Sequence, residues 1–111
     1  MSDTAQNGFN IQASLFFAPE NIHKVFAALK PVYEKTTAEN DCLSFQVYQS
    51  LDDPGQILLV EDWKTSLDDY MAERLKTDYM REFFAIIEPL FVKTREVKVF
   101  SRLPQFHNMK M

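Results

Sequence analysis

The stretch CLSFQVYQSLDDPGQILLVEDW, residues 42–63, decides how the chain folds. From Cys42 to Ser50 side chains alternate with the period of two that belongs to a strand. Asp52-Asp53-Pro54-Gly55 then supplies the turn chemistry for a reversal, and Gln56 to Trp63 runs back as a second strand. The pair reads as a β-hairpin. Its second strand is apolar on both sides, with Leu58 and Val60 on one face and Ile57, Leu59 and Trp63 on the other.

Upstream, Phe9, Ile11, Ala13, Leu15 and Phe17 alternate with Asn10, Gln12 and Ser14 as a first strand. Pro19 suits the first turn of a helix, and Ile22, Val25, Phe26, Leu29, Val32 and Tyr33 follow at helical spacing, with a kink expected at Pro31. Downstream, Thr65 or Ser66 can cap a helix carrying Leu67, Tyr70, Met71 and Leu75. Thr77 can cap its continuation through Met80, Phe83, Phe84, Ile86, Ile87 and Leu90, with Pro89 near its end. Val92 to Leu103 reads as a fourth strand.

The order β-α-β-β-α-β predicts an α+β fold of the ferredoxin-like kind, a four-stranded antiparallel sheet with two helices on one face. Residues 9–103 form the domain, 1–8 a polar, mobile segment, and 104–111 a tail with Pro104, Phe106 and Met109. Two helices cover one face only, while Phe16, Leu58, Val60, Cys42 and Tyr48 are expected on the other. That predicts a homodimer formed sheet against sheet, or a tail folded back over the open face.

One domain of 111 residues, 46% hydrophobic with ten Phe, has material for a single substantial core. A net charge of -4 and no dense basic cluster argue against nucleic acid or anionic lipid as partners. The longest apolar run, Ile57 to Val60, is far too short to cross a bilayer. A single cysteine and an N-terminus lacking a basic, apolar leader lead to the expectation of a reducing, cytoplasmic location. Two separated histidines, His23 and His107, predict no metal site, and two glycines exclude a glycine-rich phosphate loop.

With that topology, ENDCLSFQVYQSLDDPGQILLVEDW, residues 39–63, resembles the antibiotic biosynthesis monooxygenase family of dimeric α+β barrels: a Cys-Leu strand start, a Tyr, an Asp-Asp-Pro turn and a Glu-x-Trp strand end. The segment EPLFVKTREVKVFSRL is similar to the ending of fungal members. The resemblance implies a pocket between sheet and helices in which electron-rich aromatics such as anthrones, quinols or related polyketides react with dioxygen, without cofactor. Where bacterial members often show His-x-x-Thr-x-His, this chain has Arg74, Thr77 and Tyr79. The imidazole base is missing, and the departure also disfavours the haem-degrading branch, whose axial His matches Phe84.

The candidate catalytic residues are Arg74, Glu61 and Tyr79, and the candidate substrate contacts are Trp63, Tyr48, Tyr70 and Phe83. Arg74 falls among apolar positions, where a guanidinium would hold a phenolate, carboxylate or enolate, or would pair with a neighbour such as Asp78. Tyr79 would bond a substrate oxygen or fill the core. Glu61 and Trp63 share one strand face: the carboxylate would act as a base if burial raises its pKa, or pair with Arg74, Arg81 or Arg95. Cys42 reads as a small buried side chain. The alternative on the same scaffold is a non-oxidative isomerase or cyclase, or a small-molecule-binding dimer. A structural dimer whose interior Phe and Met leave no cavity is a third reading.

Overall fold

The computed structural model describes residues 7–108 and 110. Strand β1 (Phe9–Phe17) leads through a short 3-10 turn at Pro19–Asn21 into helix α1 (Ile22–Thr37). Strands β2 (Cys42–Gln49) and β3 (Gln56–Trp63) follow, then the short helix α2 (Leu67–Asp69), a π-helical turn Tyr70–Arg74, helix α3 (Asp78–Ile87) and strand β4 (Phe91–Ser101). The sheet order is β2-β3-β1-β4, with every neighbouring pair antiparallel. This is the predicted ferredoxin-like α+β fold. The mobile segment expected at 1–8 lies, apart from Asn7 and Gly8, outside the described residues, as does Met109 of the tail.

The hairpin closes as its sequence directs. Gln56 N–H donates to the Asp53 carbonyl at 3.0 Å and Gly55 N–H to Asp53 Oδ1 at 2.9 Å, while Ser50 Oγ accepts from the amides of Asp52 and Asp53. Along β3, Ile57, Leu59, Glu61 and Trp63 are buried toward the helices. They pair with Leu15, Ala13, Ile11 and Phe9 of β1. Helix α1 buries Ile22, Val25, Leu29, Val32 and Thr36 against this face, and α3 buries Phe83 and Ile87. Phe26 and Tyr33, expected in the α1 stripe, are exposed by 42% and 45%, so the buried stripe is narrower than the apolar pattern suggested. The helix runs on through Pro31. At Gly8 (φ 79°) a Cβ would lie 1.9 Å from the Trp63 carbonyl oxygen, so only glycine lets β1 begin this close to the end of β3.

The other face is half polar. Asp62 accepts from Asn10 Nδ2 at 3.0 Å and Ser44 Oγ at 2.9 Å, and Arg102 Nε lies 3.5 Å from it. Toward the other end Lys93 Nζ sits 4.4 Å above the Phe16 ring, and Leu58 and Val60 are half-buried. Cys42 is not on this face. A β-bulge between Cys42 and Ser44 turns its side chain toward Trp63 and the helix-side core, correcting the simple alternation read from the sequence. Edge strand β4 leaves Val97, Val99 and Phe100 more than 40% exposed. No helix among the described residues is long and apolar enough to cross a membrane.

Candidate active site

A cavity of about 260 Å³ lies between the helix-side face of the sheet and the chain from α2 to α3. Its floor is the middle of β1 (Ile11, Ala13, Leu15) with Leu59 and Glu61 of β3 and Arg95, Val97 and Val99 of β4. Its roof is Leu67, Tyr70, Met71, Leu75, Met80, Phe83 and Phe84. The floor residues come together because antiparallel pairing sets Ile11 beside Glu61 and Val99, and Ala13 beside Leu59 and Val97. The roof exists because the helix does not run straight across. Ser66 Oγ accepts from Asp69 N at 3.1 Å and starts α2, and Leu75 N then bonds the Tyr70 carbonyl at 3.4 Å in the π-type pattern. Such wide turns often occur at functional sites.

Among the described residues, Glu61 is the one carboxylate lining the cavity. It is buried, and its Oε1 accepts from Trp63 Nε1 at 2.9 Å. Desolvation raises its pKa from 4.5 to about 7, outweighing the Trp63 hydrogen bond that favours the ionised form. A carboxylate poised near neutrality in an apolar chamber is suited to exchange protons with a bound molecule.

Trp63 is fully buried and is not itself among the lining residues; it reaches the cavity through Glu61. It packs at 5.3 Å from the Tyr70 ring, which meets Phe9 edge-on at 5.2 Å. Arg74 lies behind this cluster rather than in the cavity. Its guanidinium stacks 5.0 Å from the Trp63 ring and pairs with Glu39 at 3.0 Å, not with Asp78, which binds Arg81. A cation among apolar positions is thus explained by a π-face and a carboxylate from the α1–β2 loop.

The remaining candidates divide. Tyr70 and Phe83 line the cavity, both nearly inaccessible to solvent, and burial pushes the Tyr70 phenol well above its ordinary pKa. Tyr79 faces the groove between α1 and α3, with Lys35 Nζ 5.7 Å from its ring and its buried hydroxyl unpartnered among the described residues. Tyr48 pairs with Leu58 on the opposite face of the sheet, is half exposed, and bonds Gln46. It walls no part of this cavity, because past the bulge the β2 register points Ser44, Gln46 and Tyr48 away from the helices. Burial pushes the Cys42 thiol up to about 11, which keeps it protonated at neutral pH. His23 and His107 are exposed, and no three His, Cys, Asp or Glu side chains gather as metal ligands among the described residues.

Among the lining residues that sequence reasoning passed over as site residues are Met71, Leu75, Met80, Phe84 and Arg95. The first four carried a helical signal indistinguishable from core packing. Arg95 carried a usable one, since it alternates with Val97 and Val99 along β4 and so belongs to their face.

A family model described as antibiotic biosynthesis monooxygenase matches residues 8–86. A protein of the fungus Pestalotiopsis microspora, provisionally named a monooxygenase, is 26% identical over 95 residues, covering 86% of this chain and 79% of that protein. Among solved structures, one from Nitrosomonas europaea, provisionally named an antibiotic biosynthesis monooxygenase, superposes with a TM-score of 0.79 at 19% identity, covering 86% of this chain and 89% of the other. A conserved protein from Methanosarcina mazei superposes at 0.77 with 22% identity, covering 86% and 92%. At these identities the structural likenesses speak for the fold.

Proposed function

Because the chain belongs to the antibiotic biosynthesis monooxygenase family, a general monooxygenase-type role is its starting point, and we propose that it oxygenates an electron-rich aromatic such as an anthrone or quinol without metal or flavin. The observation that carries the proposal is the carboxylate of Glu61, the one that lines the cavity among the described residues, buried under apolar walls with its pKa raised to about 7.

For an anthrone the steps balance without an outside reductant. Glu61 takes a proton from the acidic methylene, leaving a carbanion delocalised over the rings. This anion gives one electron to dioxygen, and the resulting radical pair combines into a peroxide at the same carbon. Loss of water, using the remaining C–H hydrogen and the proton held by Glu61, breaks the O–O bond and leaves a ketone. One oxygen atom enters the product and the other leaves as water. The protein's part is to accept and return the proton, hold the ring between Leu59, Val97 and Phe83, and exclude water. Trp63 positions the carboxylate and leaves its second oxygen for the substrate.

The open sheet face, with Phe16, Leu58 and Val60, suits a second copy of the chain, and a homodimer is the assembly we expect. A cytoplasmic setting fits the single, protonated Cys42.

The test is dioxygen uptake with a panel of anthrones and hydroquinones in the presence of a chelator, for the unaltered protein and Glu61→Gln. Uptake that survives chelation and falls at least tenfold in the variant is expected, since general-base catalysis contributes roughly 100-fold or more. Turnover of a panel member that proceeds equally without dioxygen would place the protein with isomerases or cyclases instead.

A further inference from the structure

Among the described residues the cavity has two charged lining residues, Glu61 and Arg95, and the mechanism above uses only the first. They stand at opposite ends. Glu61 on β3 is level with Ile11 and, across β1, with Val99 of β4. Arg95 lies four residues before Val99, roughly 13 Å along the strand and two strands across, so the two Cα atoms are about 16 Å apart by strand geometry. Both side chains point to the helix-side face, and the β1 floor from Ile11 to Leu15 runs between their levels.

Arg95 differs from the other three arginines. Arg74 pairs with Glu39, Arg81 with Asp78 and Arg102 with Asp62, whereas Arg95 has no ion-pair partner among the described residues. The charges next to it on β4, Lys93 and Glu96, approach each other at 3.9 Å. The Arg95 guanidinium is instead held over the Phe84 ring at 4.9 Å, and the residue also lines an open depression along Phe91 to Thr94. With no ion-pair partner among the described residues, the guanidinium can present its N–H donors as the fork that matches a carboxylate. Arg95 is exposed and lines both the chamber and the open depression beside it, which puts it at the chamber's mouth.

We propose that Arg95 is a specificity-determining residue that anchors a carboxylate on the substrate, at the end remote from the C–H group facing Glu61. The substrate class is therefore a planar, largely apolar ring system with one acidic substituent, lying along β1 from Arg95 to Glu61. This rests on the reading of the cavity as the substrate site. The arrangement separates two tasks: the anion is bound where solvent reaches it, and the proton is removed where the walls are dry. Placed at the other end, the substrate's negative charge would face the Glu61 carboxylate and disfavour the ionised base.

The probes are naphthoate and the neutral naphthamide of the same substitution, titrated calorimetrically into the full chain, Arg95→Gln and Arg95→Lys. The unaltered protein should bind naphthoate roughly tenfold or more tighter than the amide, as expected for a charge-assisted bidentate contact. Arg95→Gln should erase that preference while leaving amide affinity within about twofold, and Arg95→Lys should restore only part of it because a point charge lacks the fork. Equal affinities in the unaltered protein, or a preference that persists in Arg95→Gln, would overturn the assignment and leave the cavity reading standing. Binding of neither probe would overturn both.

Discussion

Glu61 combines a cost to folding with a use in chemistry, and the two are separable by pH. Its midpoint lies near 7 in the folded chain against 4.5 when solvated. Below the lower value both states hold the proton and burial of the neutral acid costs little. As pH rises from 4.5 toward 7 the unfolded chain releases its proton while the folded one retains it, so stability falls, by about 1.4 kcal/mol per unit. Above 7 the loss is complete, on the order of 3 kcal/mol. Glu61→Gln keeps an acceptor for Trp63 Nε1 without the charge. In urea denaturation it should be more stable than the unaltered protein by roughly 2–3 kcal/mol at about pH 8, with the difference vanishing near pH 4. A constant difference at both pH values would show that the carboxylate is not desolvated. Catalysis has the opposite sign. The base works when ionised, so kcat/KM should rise through pH of about 7 and level off above it. At Cys42, with the thiol pushed up to about 11, iodoacetamide should react slowly at about pH 8 until denaturant is added.

The element that shapes the roof is the π-helical turn Tyr70–Arg74, and Arg74 fastens it. Stacking on Trp63 and pairing with Glu39 tie the turn to β3 and to the loop after α1. Arg74→Ala should lower stability by roughly 1–2 kcal/mol, read from urea denaturation, with the loss matched in part by Glu39→Gln. A larger change in turnover than in stability would return Arg74 to a catalytic role. Gly8→Ala should cost more, roughly 1–3 kcal/mol from the backbone conformation alone, because its Cβ also meets the Trp63 carbonyl. The elements themselves were legible in the sequence: the hairpin's alternation and turn predict β2 and β3 within a residue of their ends. The site was legible only in part. Strand parity placed Glu61 and Trp63 on one face, but whether Arg74 looked into or away from the cavity depended on the extra residue of the π-turn, which no periodicity announces. Thr77 shows the same limit: it stands at the N-cap of α3, yet its hydroxyl bonds the Arg74 carbonyl rather than capping the helix.

For the molecule as a whole, the sheet has one face closed by helices and one divided between the Asp62 polar network and the apolar group of Phe16, Leu58 and Val60. The sequence exposed the two-sided hydrophobicity of β3 but not the polar half, since Asn10, Ser44, Asp62 and Arg102 become neighbours only once strand order is known. If this face joins two copies, sedimentation should give a dimer and Leu58→Asp a folded monomer; a monomer at all concentrations would leave the face without that role. The proposed chemistry begins when the folded chain removes a proton from an aromatic substrate inside its cavity. The most direct measurement is deuterium exchange at the methylene of anthrone, in D2O without dioxygen, where the first step can occur but oxygenation cannot. The unaltered protein is predicted to accelerate exchange above the buffer rate and Glu61→Gln to return it to that rate. Exchange at the buffer rate with the unaltered protein, or equal acceleration by the variant, would contradict the account.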